Sequence, residues 1–106
     1  MAPYDLPIVT IPERLRDCAA AGERLHFTGI VENCGDGYSG TYRQRWLHIR
    51  SRAGLIRVTA SPKSPLGRAQ PGAAIELAAT LTGLVDLKEN LFYAEHARVV
   101  SIQASG

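Results

Sequence analysis

Aromatic and basic side chains follow one another closely in the middle of the chain, between Tyr38 and Arg57. Aromatic rings of this kind stack on unpaired nucleobases, at about 1–3 kcal/mol for each base. Guanidinium groups pair with phosphate oxygens and also lie flat on rings. The residues that we expect to contact a nucleic acid are Tyr38, Tyr42, Arg43, Arg45, Trp46, His48, Arg50, Arg52, Arg57, Lys63 and Lys88.

The acidic residues of the chain lie outside this basic region. No aspartate or glutamate occurs from Gly37 to Ile75, a stretch with six arginines and one lysine, although the formal charge of the chain is only +2. Salt screens exposed charges beyond about 8–10 Å, so a polyanion responds to the local patch more than to the total. The pattern favours a polyanionic partner, and the alternative is a solvated strand face that happens to be rich in arginine.

No motif for catalysis, metal binding or cofactor binding occurs in the sequence. The three histidines, His26, His48 and His96, lack the paired spacing of a metal site. Cys18 and Cys34 do not form a Cys-x-x-Cys pair, and we expect both thiols to be reduced. Phosphate-binding glycine loops are also absent. We therefore expect a binding protein rather than an enzyme, with no cofactor.

The length and hydropathy of the chain predict a single globular domain. The 106 residues suit one modest hydrophobic core. No apolar run approaches the about 20 residues that a membrane-spanning helix needs, and the first residues do not have the pattern of a signal peptide. We expect a cytoplasmic protein that does not interact with membranes.

Residue periodicity predicts a short helix followed by five strands. Residues 12–22 form the helix, which begins with a proline and ends at a glycine. The glycine-rich residues 34–42 are predicted to be a mobile loop, and the proline-rich residues 62–72 an irregular connection. The strands are predicted at residues 25–33, 43–52, 55–61, 73–85 and 91–102. We divide the chain into an N-terminal extension, residues 1–23, and a barrel domain, residues 24–103.

This order of elements predicts an all-β fold, a five-stranded OB-type Greek-key barrel with a short N-terminal helix. The alternatives are an SH3-like barrel and a small open sheet. Side chains alternate between the two faces of a strand. With Leu47 and Ile49 in the core, Trp46, His48 and Arg50 therefore face outward. The competing interpretation places Trp46 in the core or under the helix, because tryptophan is usually mostly buried.

Alternation also assigns the third strand. It turns Ile56, Val58 and Ala60 inward, and the intervening residues Leu55, Arg57 and Thr59 outward. In the last strand one of Phe92 and Tyr93 must face inward, and alternation does not decide which. Arg43 and Arg45 share the face of Leu47, and we expect them to lie beyond the core, near the loop.

Two segments resemble a known group of proteins. Residues 71–83, PGAAIELAATLTG, and residues 92–100, FYAEHARVV, resemble the second half of bacterial single-stranded-DNA-binding and primosomal OB-fold proteins. Trp46 and its neighbours resemble the tryptophan-bearing second strand of that family. The single-stranded-DNA-binding proteins of filamentous phages are similar in length and in having a basic aromatic hairpin. Both resemblances imply sequence-tolerant binding of single strands, commonly by a dimer or tetramer.

The chain also departs from the bacterial family, and three functions remain open. The N-terminal helix is not typical of that family, and an acidic C-terminal tail that recruits partner proteins is not present. Binding of single-stranded DNA in replication, recombination or transfer is the leading hypothesis. The second is an OB-fold subunit whose basic face docks an acidic protein in a larger assembly. The third is RNA binding, although no sequence feature points to recognition of a 2′-hydroxyl.

Overall fold

Five segments with alternating apolar residues form strands that pair into one sheet. The structure is a computed structural model, and it describes Ile8, residues 12–86 and residues 88–104. The proline-rich connection after the third strand contains a short 3-10 turn, Leu66–Arg68. The elements are α1 (Pro12–Ala21), β1 (Arg24–Ser39), β2 (Tyr42–Ser51), β3 (Leu55–Ala60), β4 (Ala74–Asp86) and β5 (Leu91–Gln103).

The five strands close into a barrel in the order β1-β2-β3-β5-β4. All neighbouring strands are antiparallel except β3 and β5, which run parallel. A five-stranded barrel with this strand order has the topology of the OB fold. The predicted all-β OB-type barrel is confirmed, and the open sheet is excluded.

The core consists of the side chains that alternation turned inward. Leu47, Ile49, Ile56 and Val58 are fully buried, as predicted. Phe92 is also buried in the core, which leaves Tyr93 on the outer face. Burying these apolar surfaces is the main force that holds the barrel closed, at about 25 cal/mol for each Å² removed from water.

Leu55 departs from the prediction that it would be exposed. Its side chain is buried although it lies on the outward-facing side of β3. The reason is its parallel register partner, Leu91, which is also buried. The two leucines cover each other where β3 meets β5.

The helix α1 belongs to the same core as the strands. Leu15, Cys18 and Ala19 are buried in the core cluster. The helix ends at Gly22, whose φ of +66° is the left-handed conformation that commonly terminates helices. The predicted N-terminal extension is therefore packed onto the barrel through its helix, and residues 1–7 and 9–11 lie outside the described residues.

The predicted mobile loop at residues 34–42 is wrong. β1 continues to Ser39 and pairs with β2 as far as Tyr42, so the two strands form a long hairpin that ends in a two-residue turn. Gly40 in this turn has a φ of +63°, which suits glycine. The glycines at positions 35 and 37 indicated flexibility, but they lie in the strand, and Gly35 makes room there for a neighbouring side chain.

The first strand, β1, has a bulge close to Gly29 but not at it. The register shift lies between Val31 and Asn33, so Glu32 is the extra residue of the bulge. Gly29 instead allows a close approach of two strands, because a Cβ there would come within 2.6 Å of the Arg50 carbonyl oxygen. The glycine therefore lets β1 bend tightly around the barrel.

Candidate nucleic-acid interface

Four side chains meet on the outer face of the barrel, where β2, β3 and β5 lie side by side. They are Trp46 and His48 from β2, Arg57 from β3 and Tyr93 from β5, and we call them the aromatic–arginine cluster. His48 is the register partner of Arg57, and Arg57 is the register partner of Tyr93. Partners in register point to the same side of a sheet, and Trp46 shares that side because it lies two residues from His48. All four side chains are partly exposed.

Arg57 lies between the two larger rings of this cluster. Its guanidinium carbon is 5.1 Å from the centre of the Trp46 ring and 5.9 Å from the centre of the Tyr93 ring. Both distances are within the about 6 Å at which a cation is attracted to the face of a ring. The imidazole of His48 adjoins the indole at 4.9 Å between centres. The cluster is therefore one continuous surface of rings with a positive charge at its middle.

Of the two glycines of β1 that lie near the indole, only Gly35 makes room for it. A Cβ at Gly35 would come within 2.5 Å of Cζ2 of Trp46, whereas a Cβ at Gly37 would lie 3.6 Å from Cδ1. The first distance is a clash and the second an ordinary van der Waals contact. The indole therefore lies against the bare backbone of β1, which fixes its orientation on the barrel.

His48 contributes a neutral ring to the cluster. Burial lowers the pKa of His48 below its usual value, and the nearby charge of Arg57 lowers it further. Glu89 and Glu32 act in the opposite direction, with smaller effects. Its Nε2 atom is buried and has no hydrogen-bond partner among the described residues. The imidazole therefore provides stacking surface at neutral pH and no charge.

Carboxylates from β1 pair with three of the arginines of β2. Glu32 accepts two hydrogen bonds from Arg50, at 2.7 and 3.2 Å, and these bonds lower the pKa of Glu32. Asp36 lies 3.5 Å from Arg43 and 3.8 Å from Arg45. The region without acidic residues in the sequence is therefore not free of them in the folded protein. Ion pairs between exposed side chains are weak because water and salt screen them, so a phosphate can compete for Arg43 and Arg50.

Arg45 differs from the other two arginines because it is half-buried. Its Nη2 lies 2.9 Å from the sulfur of Cys34, its neighbour across the hairpin. As predicted, it shares the inward side of β2 with Leu47. It forms the last pair with β3, opposite Ala60, just before the hairpin leaves the barrel. Arg45 is therefore better placed to brace the hairpin than to bind a ligand.

The two tyrosines of the hairpin point to opposite faces of it. Tyr38 pairs with Arg43, on the side of Leu47, whereas Tyr42 shares the side of Trp46. Their side chains are 76% and 77% exposed. Of the two, Tyr42 extends the surface of the aromatic–arginine cluster toward the hairpin tip.

The remaining predicted residues lie at three other places on the surface. Arg52 follows β2 and lines, with Arg50 and Glu76, a groove of about 400 Å³. Lys63 is exposed in the connection between β3 and β4, and Lys88 is exposed in the turn between β4 and β5. The structure therefore brings Trp46, His48 and Arg57 together and leaves these three cations at separate places on the surface.

Sequence reasoning did not single out two residues of this surface. Tyr93 was considered only together with Phe92, and the parallel pairing of β5 with β3 is what places it beside Arg57. Gly35 was interpreted as a source of mobility. Its position opposite Trp46 follows from the hairpin register, and the turn-forming pair Gly40-Thr41 is the signal that would have given that register.

The chain matches no protein-family model and no curated protein. Within the described part of the chain, no group of three or more His, Cys, Asp or Glu side chains is arranged to hold a metal ion. No helix in that part is both long and apolar enough to cross a membrane. Cys18 and Cys34 are both free thiols, as predicted.

Proposed function

We propose that this protein binds single-stranded DNA, largely without regard to sequence, through the aromatic–arginine cluster. The observation that carries the proposal is the position of Arg57, between Trp46 and Tyr93 on the outer face of β2, β3 and β5. Every base has a face that stacks on a ring, so a surface of this kind does not need a particular sequence.

The location of the cluster supports the proposal. In OB folds the face formed by the second and third strands is the one that binds oligonucleotides, and the loops after the first and fourth strands flank it. The cluster lies on that face. The β1–β2 hairpin extends it through Tyr42, and the turn after β4 approaches it closely enough for Glu89 to affect the pKa of His48. A bound strand would therefore lie between these two hairpins.

The charges around the cluster support a phosphate-bearing ligand. Among the described residues no carboxylate lies within ion-pair distance of Arg57, in contrast to Arg43 and Arg50. The guanidinium is therefore available to a phosphate or a base. Each phosphate that a protein neutralises releases bound counterions, so we expect the affinity to fall steeply with salt.

The wider assignment rests on the sequence resemblance. It suggests a role in DNA replication, recombination or transfer, and a homo-oligomer or a subunit of a larger complex as the active form. The two free thiols favour a reducing compartment, and we propose the cytoplasm. RNA is an alternative ligand, because stacking and phosphate contacts do not distinguish the two sugars.

The mixed charge of the β1–β2 hairpin favours a second candidate, an OB-fold subunit that docks an acidic protein. Glu32 and Asp36 offset part of the positive charge of the arginines there, and nucleic-acid surfaces are usually more uniformly positive. The N-terminal helix does not add support to this candidate. Its apolar face is already buried in the barrel core, so it needs no partner to cover it.

One titration tests the leading proposal. Trp46 is the only tryptophan of the chain, so its fluorescence reports directly on the cluster. We expect an oligothymidylate of about 8 nucleotides to quench it, with weaker binding at higher salt. By anisotropy of a labelled oligomer, Trp46→Ala should lose about 1–3 kcal/mol of binding free energy.

The control variant is Val100→Ala, which shortens an exposed apolar side chain of β5 outside the groove that Arg50 and Arg52 line, and should bind like the wild type. Oligouridylate is titrated in parallel to compare RNA, and polyglutamate to represent an acidic protein. Neither quenching nor an anisotropy change at low salt would reject nucleic-acid binding. Equal binding of polyglutamate would favour the protein-docking alternative.

A further inference from the structure

A groove opens beside the aromatic–arginine cluster because β3 and β5 separate early. Their parallel pairing covers only Leu55–Arg57 and Leu91–Tyr93, although both strands continue beyond it. The space between them, which we call the β3–β5 groove, has a volume of about 460 Å³. Its mouth adjoins the cluster, since Thr59 on its rim is the register partner of Trp46.

A bulge in β5 contributes to the shape of the groove. His96 and Ala97 together stand opposite the single residue Ala79 of β4. His96 has a φ of +55°, a left-handed conformation that few residues other than glycine adopt. Arg24 holds the bulge by donating a hydrogen bond to the His96 carbonyl oxygen at 3.0 Å. Bulges often redirect a side chain next to a functional site, and this one directs Ala97 to the wall of the groove.

The walls of the groove are made of small and apolar side chains. Ala60 and Val99 pack against the core from the two sides, and Leu66 is buried in the wall formed by the connection after β3. The rim carries the hydroxyl groups of Thr59 and Ser61. A space with apolar walls and a polar rim suits a flat heterocycle with hydrogen-bonding edges.

We infer that the β3–β5 groove receives the base next to the one stacked on the aromatic–arginine cluster. This inference rests on the proposed function. The groove begins next to the cluster, at Thr59. The connection that borders the groove carries Lys63 and Arg68 and no acidic residue. A strand that enters the groove therefore keeps its phosphates near positive charge.

A peptide is a poorer occupant of the same groove. A peptide that adds to a sheet edge needs several residues of free edge, because main-chain hydrogen bonds supply its affinity. Beyond the parallel pairing β3 offers only Val58–Ala60, which is shorter than the typical strand of about 5–6 residues. The free edge of β5 is longer, but bulges at His96–Ala97 and at Val100 divide it into pieces of two or three residues. A single base does not need a longer edge.

The test uses two substitutions that fill the groove with larger side chains, one from each strand. Ala97→Leu adds bulk from β5 and Ala60→Val adds bulk from β3. The control is Ala20→Leu, which adds the same bulk as Ala97→Leu at an exposed position of α1 that does not line the groove. Affinities are measured by anisotropy for an oligothymidylate of about 8 nucleotides, and for a series of the same oligomer with one abasic position. Thermal unfolding identifies variants that are folded.

We expect each filled-groove variant to bind the intact oligomer about fivefold or more weakly, and the control to bind like the wild type. One abasic position should cost the wild type a similar factor, and Ala97→Leu should then add no further loss. If Ala97→Leu does not fold, the Ala60→Val variant gives the same comparison. If neither variant folds, the abasic series is measured on the wild type alone. The inference then requires that two adjacent abasic positions each weaken binding more than the other positions do.

Three results would overturn the inference. The filled-groove variants could bind the intact oligomer as tightly as the wild type. Their losses could add to those of every abasic position. They could change the sedimentation of the protein and leave its affinity unchanged, which would mark the groove as a protein contact. If Trp46→Ala still weakens binding, only the groove assignment fails, whereas a wild type that binds no oligonucleotide rejects the proposed function itself.

Discussion

Gly35 and Trp46 are register partners across β1 and β2, and the missing side chain of the glycine is what leaves the indole room to lie on the strand. Gly35, which the sequence predicted to lie in a mobile loop, therefore has a packing role in the folded protein. The contact links the hairpin backbone to the orientation of the aromatic–arginine cluster, and this makes it a point at which the cluster can be disturbed without removing any of its members.

Gly35→Ala is expected to displace the indole, because the new methyl group would overlap the ring. Oligothymidylate binding should lose part of the about 1–3 kcal/mol that a stacked base contributes, and the emission maximum of Trp46 should shift. Gly37→Ala is the matched control, since a methyl group there makes only an ordinary contact with the ring. Equal affinity of the two variants would show that the indole orientation does not matter for binding.

Arg57 is expected to act both as a charge and as a flat stacking group. Arg57→Gln should weaken DNA binding and reduce the slope of log affinity against log salt by about 0.7, the value for one phosphate of a single strand. Arg57→Lys should keep the slope but still bind more weakly, because an ammonium group is not planar. The measurement is a salt titration of each variant.

The control for the salt titration is Arg14→Gln, which removes an exposed arginine of α1 that is paired with Glu23. It should leave the slope unchanged. A wild-type slope for Arg57→Gln would mean that this guanidinium does not contact a phosphate, and the charge contribution would then have to come from other residues.

His48 is expected to make the folded protein less stable in mild acid. Its pKa is lowered in the fold by burial and by Arg57, so between that value and the usual value of about 6.5 the unfolded chain binds more protons than the folded one. The neutral imidazole therefore stabilises the fold fully above about pH 6.5, and this contribution declines as the pH falls through that value.

The measurement for His48 is the free energy of unfolding of the wild type and of His48→Gln, from about pH 7.5 to about pH 5.5. The wild type should lose more stability over this range than the variant. Glu32, whose pKa is lowered, stays ionised throughout this range in both states and adds no slope there. Parallel curves for the two proteins would contradict the assignment of a neutral His48.

Leu15 is expected to stabilise the whole barrel, because it is fully buried between α1 and the strands. Leu15→Ala should lower the free energy of unfolding by about 2–5 kcal/mol, in a single transition. Arg16→Ala, at the next and exposed position of α1, should have little effect. A wild-type stability for Leu15→Ala would mean that the helix is an appendage outside the cooperative unit.

Strand alternation made most of the fold predictable from the sequence. Leu47 and Ile49 identify the inward side of β2, and alternation then assigns each remaining residue of that strand to the inward or the outward side. Alternation fails where the next strand supplies the cover, as Leu91 does for Leu55. It also could not choose between Phe92 and Tyr93, because both are aromatic and the choice depends on the parallel pairing with β3.

The site was less predictable, because its properties arise between strands. Charge counted along the chain separates the arginines of β2 from the acids of β1, but the hairpin register brings Asp36 beside Arg43 and Arg45. Similarly, the left-handed His96 and the early separation of β3 from β5 leave no mark in residue type. These features depend on which strands become neighbours, and local periodicity does not contain that information.

Because the interior of the barrel is filled by side chains, a ligand can reach only the outward residues of β2. Odd-numbered positions of β2 such as Leu47 and Ile49 hold the protein together, while even-numbered positions such as Trp46 and His48 face the solvent. Exchanging the outward residues would therefore alter what the surface recognises with little effect on the packing beneath it. The same ten-residue strand can thus be redesigned for a new ligand one position at a time, with folding and affinity measured as separate quantities.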